Sequence, residues 1–232
     1  MARAAYLPGM SFENALLVGA SGGIGAALGA ALDARGVAVT ALSRSADGLD
    51  LADPGAVEAA LGALDGPFGL ILVATGALEV AGDRPEKSLA QLDAGALARQ
   101  FAVNAIGPAL VLRHAPRLLP RDRRAVFAAL SARVGSIGDN RLGGWYSYRA
   151  AKAALNQILH TGAIELARTH RQSICVALHP GTVRTAFTER YLGRHPAVEP
   201  AAAAANLLGV IDGLTPAQTG GFFDWSGAVV PW

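Results

Sequence analysis

The sequence predicts an α/β fold, a doubly wound parallel sheet in a single domain, and three observations carry that prediction. Short apolar, β-rich runs alternate with longer helical patterns, the arrangement that lays helices on both faces of a parallel sheet. Hydrophobic residues make up 52% of the chain and charged residues 16%, enough apolar surface to bury strands on both faces. No internal repeat, Ser/Gly linker or break in composition divides the 232 residues, which therefore read as one unit.

The first strand is expected at 15–18, Ala15-Leu16-Leu17-Val18, and it runs into Gly19-Ala20-Ser21-Gly22-Gly23-Ile24-Gly25. Ala26 to Arg35 is Ala-rich, and a helix is expected over 24–35. Strand, glycine turn and helix in this order let the backbone turn tightly and approach a pyrophosphate, whose charge meets free N–H groups at the helix N-terminus. This is a Rossmann-type arrangement. The spacing is G-x-x-x-G-x-G, at Gly19, Gly23 and Gly25, and differs from the G-x-G-x-x-G of the general dinucleotide fingerprint. Further strands are expected at 37–42, 69–74, 124–130, 173–178 and 221–225, with helices at 54–63, 88–119, 146–169 and 199–212. In the last of these, Ala201 to Ala205 are strong helix formers and Pro200 suits the first turn. Residues 1–13 read as an N-terminal extension to a domain over 14–232.

On the expected helix 146–169, Tyr148 and Lys152 stand four residues apart and project from one face. A free phenol titrates near pH ~10, and an adjacent ammonium favours the phenolate and lowers that value. The pair is expected to act as a tuned acid and base.

Other features exclude function classes. The net charge is +2 with a pI near 9.0, and Arg113, Arg117, Arg121, Arg123 and Arg124 form a basic group. Cations are favoured at a helix C-terminus by its dipole, so the group reads as a solvated face and no nucleic-acid partner is expected. The five histidines, His114, His160, His170, His179 and His195, show no H-x-x-x-H spacing, and no metal site is expected. The single cysteine, Cys175, cannot form an intrachain disulfide and reads as a small buried residue. No apolar stretch reaches the ~18 residues of a membrane span, and the first thirteen residues lack the apolar core of a signal peptide. A cytoplasmic location with no membrane partner is the expectation.

The glycine loop and the Tyr148/Lys152 pair, in this order, resemble the classical short-chain dehydrogenase/reductase family, and the likeness covers residues 14–230. Asn104, in Phe101-Ala102-Val103-Asn104-Ala105-Ile106-Gly107, is similar to the Asn that in this family sits at a helix distortion and holds a water on a proton relay. Pro180-Gly181-Thr182-Val183-Arg184-Thr185 follows the apolar run Ile174 to Leu178 and is similar to the P-G-x-V-x-T segment that holds the nicotinamide carboxamide. Ser131 to Ile137 together with Gly143 to Tyr148 most resembles the small C-factor-like carbonyl reductases. Two departures stand out. A gapless reading from Gly135 puts Ala132 where the family carries its catalytic serine; Ser131, at the end of the strand Ala125 to Leu130, is taken for that role, with Ser136 as the alternative. Where the family's fourth strand ends in N-N-A-G, this chain has Val73-Ala74-Thr75-Gly76, which keeps the backbone turn and loses the Asn side chain.

The resemblance implies an NADP(H)-dependent oxidoreductase that reduces the carbonyl of an aldehyde or ketone to an alcohol, or the reverse, by hydride transfer with a tyrosine general acid. It assigns catalytic roles to Asn104, Ser131, Tyr148 and Lys152. Cofactor contacts are expected from the glycine loop (Gly19, Ser21, Gly23, Ile24, Gly25) and from Ser43, Arg44, Asp50 and Leu51. Ala74, Thr75, Gly76, Tyr148, Lys152, Pro180, Gly181, Val183 and Thr185 complete that set. The choice of NADP(H) rests on Ser43-Arg44, which follow the second strand where NAD-dependent folds carry an acid. A guanidinium grips a phosphate in a bidentate fork, and the Ser43 hydroxyl is free to add a donor. Gly22 leaves the glycine loop without the second basic residue that NADP(H)-dependent relatives often carry there, which makes the expected preference modest. The substrate, a small carbonyl or alcohol, is expected beside Trp145 and Tyr146 and under the segment Arg184 to Pro200, in a homodimer or homotetramer. The competing class is an NADP(H)-binding sensor with little turnover; Asn104, Tyr148 and Lys152 together argue against it. A nucleotide-sugar epimerase needs a larger C-terminal domain than the segment after Pro180.

Overall fold

Short runs of Leu, Ile, Val and Ala make the strands: β1 Asn14–Val18, β2 Ala38–Leu42, β3 Leu70–Val73, β4 Ala125–Leu130, β5 Ser173–His179 and β6 Phe222–Asp224. They pair as one parallel sheet in the order β2-β1-β3-β4-β5-β6. The computed structural model describes residues 12–186, 188–191 and 197–232; most of the N-terminal extension, residues 1–11, lies outside that set. The helices are α1 Gly23–Asp33, α2 Arg44–Asp47, α3 Pro54–Gly62, α4 Ala94–Phe101, α5 Gly107–Arg113, α6 Ala115–Leu118, α7 Tyr146–Thr169 and α8 Pro200–Gly213.

Alternate residues of each strand face opposite layers. Leu16, Val18, Ile71, Phe127 and Cys175 pack with Val57 and Leu61 of α3, Val111 of α5 and Leu155 and Leu159 of α7. Their neighbours Ala15, Leu17, Leu72, Val126 and Ile174 pack on the other face with Leu28 and Leu32 of α1 and Leu207, Leu208 and Ile211 of α8. Both faces of β1, β3, β4 and β5 are covered, which is why these strands carry continuous apolar runs, whereas the edge strand β2 is only partly buried. From β1 the chain passes to one side for β2 and to the other for β3, so the sheet has its switch point between β1 and β3, where the carboxyl ends of the strands leave a crevice.

The helix expected over 88–119 is in fact several pieces. A 3-10 turn at Leu89–Gln91 precedes α4, whose start is fixed by Asp93: its Oδ1 accepts from Ala96 N at 2.7 Å. Between α4 and α5 the backbone makes a π-helical turn at Ala102–Ile106. Pro108 gives the reason, since it has no N–H for the carbonyl of Asn104 and its ring crowds that carbonyl. The helical run Ala94–Arg113 also corrects the expectation of no membrane-length apolar stretch. The helix is 20 residues long and contains an 18-residue window of mean hydropathy 1.2, which meets the length and composition of a span. It packs against α7, however, and buries Gln100, Asn104 and Val111 in the fold.

Candidate active site

The site is built from the carboxyl ends of the strands. At the end of β1, Gly19 N and Ala20 N both donate to Leu42 O of β2, at 2.8 and 3.1 Å, which turns the chain sharply. Gly19 takes φ +91°, and a Cβ there would lie 2.6 Å from Thr75 Cγ2. At Gly25 the contact is closer still, because a Cβ would lie 2.1 Å from Gly19 O. Gly25 therefore packs the helix onto its own loop and is not among the residues that line the two cavities. Gly25→Ala is expected to destabilise the fold by about 1–3 kcal/mol through this backbone clash and to weaken nucleotide binding with it. Thermal unfolding and a cofactor titration check this; an unchanged Tm would contradict it.

Two cavities open around the loop and share Ser21, Gly22, Ala74, Thr75 and Gly76, so they form one continuous groove. The first, about 310 Å³, is also lined by Gly19, Ser43, Arg44, Asp50 and Leu51. Arg44 is exposed at its edge and has no ion-pair partner among the described residues. Ser43 is less free than the sequence reading has it. Its Oγ accepts from Ala46 N at 3.1 Å, capping α2, and its own N–H donates to Asp47 Oδ2 at 2.8 Å. An acid thus does stand at the end of β2, returned there by one helical turn.

The second cavity, about 350 Å³, is lined by Ser131, Tyr148, Lys152, Pro180, Gly181, Val183 and Thr185 among others. Tyr148, Lys152 and Asn156 follow at four-residue steps along α7 and are all buried. Lys152 Nζ donates to Leu130 O at 2.9 Å and lies 5.9 Å from the centroid of the Tyr148 ring. Ser131 Oγ donates to Asn156 Oδ1 at 2.6 Å. Ser131 is brought into the cavity, whereas Ser136 is not among its lining residues and accepts from Asp139 N at 3.1 Å. Asn104 lines neither cavity. Its amide holds Ala77 from both sides, with Oδ1 accepting from Ala77 N at 3.0 Å and Nδ2 donating to Ala77 O at 2.8 Å. That clamp sets Gly76 against the site: a Cβ on Gly76 would lie 3.1 Å from Asn104 Oδ1 and 3.3 Å from Lys152 Nζ.

Burial, and not mutual charge, dominates the titration of the pair. Removal from water pushes the Tyr148 phenol above its ordinary value and pulls the Lys152 amine down to about 7. The expectation of a phenol lowered by its neighbouring ammonium is not met in this structure, because the same burial weakens the ammonium that would lower it. His179, at the mouth of β5 and lining the same cavity, is held down to about 4 by burial, against the raising effect of Asp224.

Several residues that hold this arrangement were not singled out in the sequence. Glu86 is 6% exposed and grips the start of α7: its carboxylate accepts from Ser147 N at 3.2 Å and from the Ser147 hydroxyl, and its carbonyl accepts from Trp145 N at 2.5 Å. Gly143, Gly144 and Trp145 run through three left-handed conformations, φ +64°, +65° and +54°, and Arg149 Nε donates to Gly144 O at 2.8 Å. Neither Trp145 nor Tyr146 lines the cavity; Trp145 meets Tyr148 edge-on, with ring centroids 6.3 Å apart. From the segment Arg184 to Pro200, Thr185, Ala186 and Thr188 line the cavity, while residues 187 and 192–196 lie outside the described set. Asn156 had a readable signal, since it continues the Tyr148/Lys152 spacing by one more turn. Among the described residues no cluster of three or more His, Cys, Asp or Glu could hold a metal ion.

The sheet order and the groove at its switch point define a Rossmann-type α/β protein. Residues 19–218 match the family model described as enoyl-(acyl carrier protein) reductase. A 1-hydroxy-2-glutathionyl-2-methyl-3-butene dehydrogenase of Rhodococcus sp. (strain AD45) is 34% identical, covering 95% of this chain and 100% of its own. The C-signal protein of Myxococcus xanthus is 38% identical over 62% of this chain and 84% of its own. Among solved structures, one from Burkholderia multivorans, described as a short-chain dehydrogenase/reductase with bound NADP, has 25% identity and a TM-score of 0.76, covering 95% of this chain and all of that one. The NADPH-bound carbonyl reductase from chicken fatty liver has the same fold, with a TM-score of 0.80 at 21% identity over 96% of this chain and all of that one. The chain belongs to the short-chain dehydrogenase/reductase family of oxidoreductases.

Proposed function

We propose that the protein is an NADP(H)-dependent oxidoreductase that reduces the carbonyl of an aldehyde or ketone to an alcohol, or carries out the reverse. The observation that carries this reading is the convergence of Ser131, Tyr148 and Lys152 on one cavity that opens into the cavity holding Arg44. The residues fit the cofactor: the glycine loop leaves bare backbone beside the groove, and Arg44 presents an exposed cation where a 2′-phosphate would lie. Bound there, the nicotinamide cofactor supplies or accepts the hydride. Tyr148 gives its phenolic proton to the carbonyl oxygen in reduction and takes it back in oxidation. Ser131 stabilises the same oxygen by hydrogen bonding, its hydroxyl turning from Asn156 Oδ1 toward substrate. Lys152 holds the ribose hydroxyls and, once charged, eases the phenolate. Asn104 fixes Ala77 and the turn beside Lys152, and its place in the π-helical turn matches the position where the family resemblance implies a water on the path that returns the proton to solvent. The alcohol-oxidising name of the Rhodococcus relative and the carbonyl reductase fold neighbour support the reaction class, and the NADP bound to the Burkholderia neighbour supports the cofactor.

Titration of NADPH and NADH into the wild type and Arg44→Ala tests the cofactor assignment. The wild type is expected to bind NADPH more tightly, and Arg44→Ala to lose most of that difference with NADH little changed. Equal affinities in the wild type, or a mutant with its preference intact, would refute it.

The depressed Lys152 amine carries a further expectation. In the free protein burial pulls the amine down to about 7, against 10.5 ordinarily, and the negative charge of a bound cofactor is expected to favour its protonated form. A proton taken up on binding makes affinity fall as pH rises through this window, by up to ~tenfold per unit. NADPH titrations from pH 6.5 to 9 should show that fall in the wild type and a flat profile in Lys152→Met. A flat profile in the wild type would contradict it.

A further inference from the structure

We propose that Asp47 is a specificity-determining residue that weakens the preference of the adenosine cavity for a 2′-phosphate. The inference rests on the NADP(H) reading above, and it concerns a residue that neither the glycine loop nor the Ser43-Arg44 pair contains. Asp47 Oδ2 accepts from Ser43 N at 2.8 Å and stands 3.4 Å from Ser43 Oγ. Ser43 itself is 5% exposed and lines the cavity beside Arg44, Asp50 and Leu51. The carboxylate is therefore one hydrogen bond away from the side chain that a 2′-phosphate has to reach.

The geometry divides the end of β2 between opposite charges. Arg44 presents an exposed guanidinium to the cavity, while Asp47, one turn later, places an anion behind Ser43 and engages the Ser43 N–H, a donor that would otherwise be open to phosphate oxygens. The Ser43 hydroxyl is drawn into the same turn, because its oxygen accepts from Ala46 N at 3.1 Å. Asp47 does not itself line the cavity and acts on it through Ser43; the charged residues that do line it are Arg44 and Asp50, and the Asp50 carboxylate caps the next turn, accepting from Ala52 N at 2.9 Å. A carboxylate beside a 2′-phosphate in a partly hydrated site repels it by an amount that changes affinity several-fold, and salt reduces the effect. A ribose bearing only its 2′-hydroxyl carries no charge and escapes this repulsion. Asp47 thus narrows the gap between NADPH and NADH that Arg44 opens.

Asp47→Asn tests the proposal, since the amide keeps an oxygen to accept from Ser43 N and loses only the charge. The probes are NADPH and NADH, and 2′,5′-ADP and 5′-ADP as fragments that need no nicotinamide site, each titrated in low and in physiological salt. The expected result is about a 3- to 10-fold gain for NADPH and 2′,5′-ADP at low salt, smaller at physiological salt, with NADH and 5′-ADP moved less than about twofold. Equal loss for all four ligands would mean that Asp47 only shapes the turn, and a selective loss of NADH would mean that it accepts from the ribose; either overturns the proposal. The double variant Asp47→Asn, Arg44→Ala separates this from the cofactor reading. If wild type binds 2′,5′-ADP no better than 5′-ADP, the Arg44 assignment fails, while a gain on Asp47→Asn in the Arg44→Ala background still supports the role of Asp47.

Discussion

Tyr148→Phe is expected to lower turnover by ~10²–10⁴-fold while leaving NADPH affinity within a few-fold. The substitution removes one oxygen and keeps the ring, which is 7% exposed and packed edge-on to Trp145. Its partner Lys152 stays anchored, since Nζ donates to Leu130 O and does not depend on the phenol for its position. The cofactor groove is therefore expected to survive, while the proton donor is lost. Steady-state kinetics beside a fluorescence titration separate the two effects. Near-normal turnover in the mutant would show that another group supplies the proton.

Ser131→Ala is expected to cost about 10²-fold in kcat/KM, the scale of losing one donor to a developing oxyanion, with little change in cofactor affinity. Ser136→Ala should cost much less, because the Ser136 hydroxyl caps the turn at Asp139 and lies off the cavity. The local fold is held independently of the Ser131 side chain, as Ser131 N donates to Leu178 O at 2.8 Å between the two strands. The mutation does leave Asn156 Oδ1 without its buried donor, so unfolding should be followed in parallel; a loss of stability of up to about 1–3 kcal/mol is expected from that orphaned acceptor. The reverse ranking of the two serines would place the oxyanion donor after Gly135. If neither serine mattered, the reading of the chain as a cofactor sensor would gain support.

Much of the architecture was legible because strand burial writes itself into the sequence. All-apolar runs such as Leu70–Val73 and Ala125–Leu130 are covered on both faces, and each expected strand lies within a residue or two of where it forms. Helix breaks were less legible along 88–119, where helical propensity is continuous, but Asp93 and Pro108 carried the signals for the start of α4 and the π turn. Ser131, Tyr148 and Lys152 could be read as one site because two of them share a helix face and the third ends the neighbouring strand. Asp47 was hidden for a geometric reason: it lies beyond the strand end in the sequence, and a single turn of α2 carries its carboxylate back to Ser43. Glu86 was equally hidden, since nothing in Pro85-Glu86-Lys87 shows that the chain will bury that carboxylate against Ser147, sixty-one residues later. The titration of Tyr148 and Lys152 followed from burial, which spacing on a helix does not encode.

The central claim is that this groove carries out hydride exchange with a carbonyl through Tyr148. The most direct measurement uses NADPH bearing deuterium at the reactive C4 position, offered with a panel of aldehydes, ketones and quinones, with the products analysed by mass spectrometry. The account predicts deuterium on the carbinol carbon of at least one product with the wild type, and a rate lower by ~10²–10⁴-fold with Tyr148→Phe. Tight NADPH binding with no labelled product from any member of the panel, or equal labelling by wild type and Tyr148→Phe, would contradict it.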